Sequence, residues 1–267
     1  MKYSGQSRSM VLVDTHTHLY LPHFSDDIEQ VIENASRNHV KKMLLPNIDD
    51  ESYSKMMDLH RRFPGQCLPM TGLHPTSVDA DYLDKLSWLE LKFHTENFIA
   101  IGETGLDAHW DTAFMKEQED SFIIHLEWAK KYDLPVVIHS RKTMDKIIDI
   151  LGARKGAGLR GVFHAFSGSA EQAARIVDLG FKLGIGGVVT YKNTGLVQVV
   201  KSLALEYLVL ETDSPYLTPF PRRGQRNESA NLLLIAEKIA VIKNIPVVDV
   251  ARATTRNASG LFNLNLE

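Results

Sequence analysis

The sequence contains almost no cysteine and no long apolar run. Cys67 is the only cysteine among 267 residues, so no disulfide can form within the chain and no zinc site can be built from several thiolates. No apolar stretch approaches the roughly 20 residues that cross a membrane. Residues 1–9 (MKYSGQSRS) are polar and have no apolar segment like that of a signal peptide. We therefore expect a cytoplasmic protein without a membrane partner, in which residues 1–9 form a disordered N-terminal extension.

A large excess of charge of either sign is also missing. The 30 basic and 33 acidic residues leave a formal net charge of −3. This balance argues against a diffusely basic nucleic-acid-binding protein, but it leaves room for a local basic patch or for bound metal ions. Apolar residues make up 44% of the chain and charged residues 24%, as in an ordinary soluble protein with a substantial core.

Short β-rich runs recur along the chain, separated by segments with helical spacing such as Phe122, Leu126 and Ala129. The runs are MVLVDTH (10–16), VKKMLLPN (40–47), CLPMTGLH (67–74), FIAIGET (98–104), LPVVIHS (134–140), GVFHAF (161–166), FKLGIGG (181–187) and YLVLETD (207–213). Such alternation predicts an α/β fold with a parallel sheet covered by helices. We predict one (β/α)8 TIM barrel over residues 10–267, with extra C-terminal helices in residues 229–263. The strand count alone leaves a doubly wound open sheet as an alternative.

Side chains that can bind metals stand at the carboxyl ends of most of these runs. In an extended segment His16 and His18 point to the same side. The full set is His16, His18, His74, Glu103, His139, His164 and Asp213. A TIM barrel gathers such groups at one mouth, and this placement favours the barrel over the open sheet. We interpret the other histidines, His125 among them, as solvated or capping residues of helices and loops.

These groups are more numerous than one tetrahedral ion requires. Two divalent ions bridged by a carboxylate would use them, and Glu103 is the natural bridge. No lysine ends a strand beside them, so a carbamylated lysine cannot serve as the bridge. Histidine-rich ligation suits zinc, manganese or iron, whereas magnesium prefers oxygen ligands. The sequence leaves the identity of the ion open, with magnesium, manganese and zinc as the main candidates.

Seven motifs together resemble a known family. VDTHTHL, GLHP, GETGLD, PVVIHSR, VFHAFSGS, LETDSPYL and PRRGQRNE, in this order and spacing, resemble the TatD family of metal-dependent deoxyribonucleases of the amidohydrolase superfamily. The resemblance extends from Val13 to the C-terminal RATTRNASGLF. It implies that His16, His18 and Asp213 hold one metal, that His139 and His164 hold the second, and that Glu103 bridges them. The stretch DAHWD after GETGL departs from the aromatic pair that often follows the aspartate in this family.

The resemblance also implies a phosphate-facing surface. It would include His74, Arg141 and the loop PFPRRGQRN, where Arg222, Arg223 and Arg226 could contact phosphate oxygens or could form a solvated surface run. Trp110 or Tyr216 could stack on a base, or could belong to the core.

The resulting hypothesis is a two-metal phosphodiester hydrolase, a deoxyribonuclease, with 3′–5′ trimming of single-stranded DNA favoured. Glu103 and Asp213 would be its catalytic carboxylates, Asp213 taking the proton of the attacking water or acting as a plain ligand. DNA is the expected substrate, RNA stays open, and we favour a monomer.

Two other functions stay open at the level of sequence. The same metal barrel could hydrolyse a small ester, lactone or amide, although the arginine-rich loop favours a nucleic acid. The chain could also be a non-catalytic nucleic-acid-binding protein with a vestigial metal site. The presence of all six candidate ligands argues against that alternative.

Overall fold

The computed structural model describes residues 10–110 and 112–266, so the predicted N-terminal extension 1–9 lies outside the described residues. Strands and helices alternate along the described chain, and each of the eight predicted strands is present. The strands are β1 (Leu12–Asp14), β2 (Val40–Leu45), β3 (Cys67–Pro69), β4 (Ile101–Asp107), β5 (Val136–Arg141), β6 (Gly161–Phe163), β7 (Lys182–Ile185) and β8 (Leu208–Leu210). The helices are α1 (Ile28–Arg37), α2 (Asp50–Arg62), α3 (Tyr82–Lys92), α4 (Met115–Lys131), α5 (Met144–Gly152), α6 (Ala170–Asp178), α7 (Leu196–Ser202), α8 (Leu232–Lys243) and α9 (Val247–Phe262).

The strands follow one another in sequence order, and each paired neighbour is parallel. β1, β2 and β3 form one ladder, and β4 to β8 form another. Isolated parallel bridges join the two ladders at both junctions, between Thr71 and Ile101 and between Thr17 and Ser214. In a doubly wound sheet the strand order reverses at a switch point. The observed order is therefore that of a TIM barrel, and it removes the open sheet as an alternative.

A glycine permits β4 and β5 to approach closely where the polar groups gather. Gly105 pairs with His139 and has a φ of 140°, a backbone conformation that residues with side chains rarely adopt. A Cβ on Gly105 would collide with the backbone carbonyl of His139. This pairing sets Glu103 and Asp107, two residues either side of Gly105, next to His139.

Apolar side chains fill the barrel interior below the polar groups. They come from seven strands or from residues adjoining them, namely Val13, Leu44, Met70, Ala100, Val137, Val162 and Val209. Leu261 and Phe262, at the end of α9, pack against this layer. The predicted C-terminal helices are thus present as α8 and α9, and α9 covers the end of the barrel opposite the polar groups.

The single cysteine and the lack of membrane-crossing segments, both noted in the sequence, can be examined in the structure. Cys67 is a buried free thiol in β3, and burial raises its pKa to about 12, so the thiolate needed for reactivity is suppressed. In the described part of the chain, no helix combines the length and apolar character needed to cross a membrane.

Candidate metal centre

Glu103 lies at the centre of a cluster of imidazole rings. Its Oε1 is 2.8 Å from Nε2 of His164 and 2.9 Å from Nδ1 of His139. Its Oε2 is 3.1 Å from Nε2 of His16. The Glu103 side chain is only 3% exposed, and its oxygens face ring nitrogens on β5 and just after β1 and β6. The two oxygens of one carboxylate therefore have different ring partners, an arrangement that is compatible with a bridging ligand.

His18 is oriented by a tyrosine. The Tyr20 hydroxyl donates its single proton to the Pro46 carbonyl, 2.6 Å away, so it can only accept from Nδ1 of His18, 2.9 Å away. This arrangement puts the ring proton of neutral His18 on Nδ1 and leaves its Nε2 with a free lone pair. That lone pair lies 3.2 Å from Nε2 of His16, on the side the sequence predicted for the pair.

Asp213 is brought to the same place by a left-handed backbone conformation. Its φ is 54°, a region that aspartate tolerates better than most residues, and its N–H donates to the His16 carbonyl at 2.9 Å. Its Oδ1 lies 3.4 Å from Nε2 of His18 and 3.7 Å from Nε2 of His16. The Asp213 side chain is 14% exposed, so it is the carboxylate of the cluster that water reaches more easily.

His74 also lies inside the cluster, but its proton is placed differently. Its Nδ1 accepts the backbone N–H of Thr76 at 3.2 Å, so the neutral ring carries its proton on Nε2. This Nε2 is 3.3 Å from Oε1 of Glu103 and 3.3 Å from Nδ1 of His139. In this tautomer His74 directs its N–H donor at Glu103, and its role towards a substrate stays a prediction.

Two buried carboxylates that the sequence reasoning missed stand behind His139 and His164. Oδ2 of Asp107 lies 2.9 Å from Nε2 of His139. Glu211 accepts the N–H of Ala165, and its Oε1 lies 3.6 Å from Nδ1 of His164, beyond hydrogen-bond range. The spacing offered a signal for both, because each stands an even number of residues from a predicted ligand. Asp107 comes four residues after Glu103 on β4, and Glu211 comes two residues before Asp213.

The charges of the cluster shift its pKa values strongly. Burial alone would raise the pKa of Glu103, but the rings of His164, His74 and His16 outweigh it and hold this pKa well below its usual range. Burial would lower the pKa of His164, yet the facing Glu103 carboxylate raises it well above the ordinary value. The pKa of Asp213 is also lowered, because hydrogen bonding to His18 and nearby rings outweigh its burial. Both carboxylates are thus anionic at neutral pH.

The same groups meet the requirements of divalent cations. Within the described residues, ligand atoms lie close enough to hold an ion in three sets, which are His16–His18–Asp213, His16–Glu103–His164 and His74–Glu103–His139. Imidazole and carboxylate together suit zinc, manganese and related ions. A cation would compete with protons for these rings, since only an unprotonated nitrogen can ligate. The set His16–His18–Asp213 coincides with the first predicted site, whereas His164 and His139 each occur with Glu103 in a separate set. The donor types suit divalent metal ions, and the division of the ligands between two ions stays a prediction.

The predicted substrate-binding arginines behave differently from one another. Arg226 is tied to the start of α1, where its guanidinium contacts both carboxylate oxygens of Asp27 at 2.8 and 2.6 Å. Arg223 lies over the ring of Tyr191, 4.2 Å from the ring centre, and Arg222 is 52% exposed with Glu228 3.9 Å away. The loop therefore presents Arg222 and Arg223 to solvent, while Arg226 already has a carboxylate partner.

Two exposed aromatic rings lie beside predicted site residues, one next to Arg141 and one next to His18. Trp110 is 71% exposed and lies under the guanidinium of Arg141, which is 5.3 Å from its ring centre. Tyr216 is 49% exposed, and its ring centre is 6.3 Å from that of His18. Neither ring is a core residue, which removes that alternative for both.

A cleft of about 410 Å³ adjoins the cluster at the ends of β5 and β6. Ser140, which follows His139, lines one side, and Ser167, three residues after His164, lines another. Lys142 and Lys146 add positive charge to its wall, while Asp145 adds one negative charge. The cleft thus extends the polar mouth of the barrel in one direction.

His125 corrects the interpretation of the remaining histidines as solvated or capping groups. It lies on α4, fully buried, where Nδ1–H donates to the Ser121 carbonyl at 2.7 Å. Its Nε2 accepts the N–H of Leu73 at 3.0 Å. His125 therefore anchors the backbone immediately before His74. Nothing in its local sequence distinguishes it from an exposed helical histidine.

Comparisons with known proteins agree with this architecture. A family model described as TatD related DNase matches residues 13–263. YabD of Bacillus subtilis, named an uncharacterized metal-dependent hydrolase, is 35% identical over 257 residues, which cover 96% of this chain and 100% of the relative. YcfH of Escherichia coli, named in the same way, is 33% identical over 261 residues, covering 96% and 97%.

Solved structures show the same similarity in three dimensions. The crystal structure of YjjV, a TatD homologue from Escherichia coli K12, matches with a TM-score of 0.87 at 32% identity and covers 95% of this chain and 98% of that one. A TatD family hydrolase from Entamoeba histolytica matches with a TM-score of 0.83 at 23% identity, covering 95% and 99%. At 23% identity, the match to the Entamoeba histolytica protein shows the fold alone.

Proposed function

The chain belongs to the TatD-related DNase family of metal-dependent hydrolases, and on that basis we propose that it hydrolyses phosphodiester bonds of DNA with two divalent metal ions. The supporting observation is the central position of Glu103, whose Oε2 faces His16 while its Oε1 faces His139 and His164. His16, His18 and Asp213 would hold one ion, His139 and His164 the other, and Glu103 would contact both. Zinc, manganese and magnesium are the candidate ions.

Metal ions bound there would lower the pKa of a water to about 7 and offset the charge that builds up on the phosphate. Asp213 is then suited to take the proton of the attacking water, since it is anionic and more exposed than Glu103. Glu103 is enclosed by rings, which suits a fixed ligand better than a group that exchanges protons with solvent. His74 can donate its Nε2–H to a phosphate oxygen when substrate displaces it from Glu103.

The phosphate backbone would be held by arginines at the mouth of the barrel. Arg141 ends β5, two residues after His139, and Arg222 and Arg223 extend from the loop after β8. A guanidinium binds phosphate oxygens through two parallel hydrogen bonds. We leave Arg226 out of this surface, because its guanidinium is paired with Asp27. Phosphate contacts carry no base information, so little sequence specificity is expected.

We further propose that single-stranded DNA is trimmed from its 3′ end. Exposed aromatic rings favour single strands, because unpaired bases can stack on them, and Trp110 and Tyr216 are exposed beside the cluster. The polarity rests on the family resemblance. RNA is the competing substrate, and a monomer is the proposed state of the protein.

The test uses chelator-treated protein with single- and double-stranded DNA, labelled at either the 5′ or the 3′ end, and with labelled RNA. Magnesium, manganese and zinc are added back separately. We expect shortening of single-stranded DNA that requires metal and is lost in Glu103→Gln and His139→Ala. His94→Ala is the matched control, because this histidine is exposed and outside the cluster. It should cleave like the wild type.

The products distinguish the alternatives. Loss of single nucleotides from the 3′ end supports the exonuclease, and internal cuts would replace that part of the proposal with an endonuclease. Full activity in Glu103→Gln would refute the assignment of the site. If no metal supports cleavage of any nucleic acid while two ions bind, the phosphodiesterase proposal is wrong and a small ester, lactone or amide becomes the substrate to test.

A further inference from the structure

Asp107 has no role in the metal centre described so far, although it contacts one of its histidines. It is buried at the end of β4, with 1% of its surface exposed. Its two carboxylate oxygens have different partners. Oδ2 faces Nε2 of His139 at 2.9 Å, and Oδ1 accepts the backbone N–H of His109 at 2.8 Å. Both oxygens are therefore used as acceptors.

The opposite nitrogen of His139 is the one that points into the centre. Nδ1 lies 2.9 Å from Oε1 of Glu103, the oxygen that also faces His164. A neutral imidazole carries one ring proton, and only its other nitrogen can bind a cation. Nδ1 can therefore ligate only when the proton stays on Nε2. Asp107 is the acceptor that holds it there.

We propose that Asp107 is a positioning residue that keeps the His139 proton on Nε2 and so makes Nδ1 the ligand atom of the second metal site. The proposal rests on the metal centre assigned above, but it does not depend on which bond the protein cleaves. A carboxylate that accepts the N–H of a ligating histidine, on the ring nitrogen that does not bind the metal, fixes both the tautomer and the ring orientation. The backbone N–H of Asp107 donates to Oε1 of Gln118 on α4 at 2.9 Å, so its own position is held from a neighbouring helix.

Asparagine and alanine at this position separate the proposed role from a merely structural one. Asparagine has the shape of aspartate but only one acceptor oxygen. If that oxygen keeps the bond to the His109 N–H, the amide NH2 faces Nε2 and donates to it. The ring proton must then move to Nδ1, directly towards the metal position. Alanine leaves Nε2 free to donate to water, so it does not force this tautomer.

The experiment measures zinc affinity at both sites by competition with a chelator. In Asp107→Asn we expect the zinc affinity of the second site to drop by about 10- to 100-fold, as for other partners of ligating histidines. The first site, with His16, His18 and Asp213, should be unchanged and serves as the internal reference. Asp107→Ala should be impaired equally or less. A residue that only packs against the loop would show the reverse order, with isosteric asparagine close to wild type.

Nitrogen-15 spectra of the zinc-loaded protein give a second readout. In the wild type the His139 ring should carry its proton on Nε2, identified by comparison with His139→Ala, and Asp107→Asn should lose this signal. Asp14→Asn is the control, because it changes another fully buried carboxyl group, which bonds Thr212 and the backbone N–H of His16 at 3.4 Å and has no hydrogen bond to an imidazole ring. Its His139 signals should match the wild type.

Unchanged zinc affinity and unchanged His139 signals in folded Asp107→Asn would overturn the proposal. If the wild type binds two zinc ions and Asp107→Asn loses one, while no nucleic acid is cleaved by either, the positioning role stands and the proposed nuclease activity fails. If DNA is cleaved and both variants bind zinc like the wild type, the nuclease stands and the positioning role fails.

Discussion

The buried imidazole of His125 should make the protein lose stability on acidification by a calculable amount. Its ring accepts the N–H of Leu73 through Nε2 and donates through Nδ1 to Ser121. Protonation would turn Nε2 into a donor facing another donor, in a place without solvent. Burial accordingly lowers the pKa of His125 from 6.5 to about 4. The His125 ring therefore binds a proton more weakly in the folded protein than in the unfolded chain.

The direction and size of the effect follow from this shift. Between pH 6.5 and pH 4 the unfolded chain holds more protons at this position than the folded one, so the free energy of unfolding falls as the pH falls. The contribution is complete above pH 6.5, is lost progressively down to pH 4, and stays constant below. The difference between 6.5 and about 4, at 1.36 kcal/mol per pH unit, amounts to about 3 kcal/mol.

Urea unfolding at pH 7.5, 5.5 and 4 measures this contribution as a difference between the wild type and His125→Gln. Chelator is present throughout, so that metal release does not add to the pH dependence. The other titrating groups are common to both proteins and cancel in the comparison. Between pH 7.5 and pH 4 the wild type should lose about 3 kcal/mol more than the variant. Gln stays neutral over this pH range. Any packing that the substitution loses is lost at every pH and therefore does not change the difference between pH values.

His94→Gln provides the matched control, because it removes an exposed histidine. Its loss of stability on acidification should parallel that of the wild type. If His125→Gln loses as much stability on acidification as the wild type, burial of a neutral His125 is not what makes the fold acid-sensitive. The reasoning that this residue anchors the backbone before His74 in its neutral form would then be refuted.

Two further substitutions test other parts of the site. Arg223→Gln should weaken single-stranded DNA binding and reduce the slope of log affinity against log salt by about one, whereas Arg226→Gln should leave the slope unchanged, because its partner is Asp27. Equal slopes for both variants in filter binding would contradict this division of the loop. Tyr20→Phe removes the acceptor for Nδ1 of His18, so zinc affinity should fall by about 10- to 100-fold at the first site alone. Chelator competition that shows both sites unchanged would exclude this role for the tyrosine.

Local patterns predicted much of the fold. Alternating apolar runs identified the eight strands, because a buried parallel strand must be apolar on both faces. The helical spacing after the last strand predicted α8 and α9, which begin at Leu232 and Val247. The groups predicted for the metal centre also lie together, because the carboxyl ends of barrel strands meet at one mouth. Their roles as ligands stay predictions, as do the number and identity of the ions.

The partners of those groups could not be read from the sequence. Asp107 and His139 are 32 residues apart, and His125 and Leu73 are 52 apart. Arg226 and Asp27 are 199 apart. Such hydrogen bonds depend on which strands and loops the barrel brings side by side, and no short-range periodicity records that. Residue types at the strand ends by themselves determined what chemistry the site offers. Only the tertiary structure decided which nitrogen of each ring faces the centre and which arginine remains free, because both are set by contacts between segments that are distant along the chain.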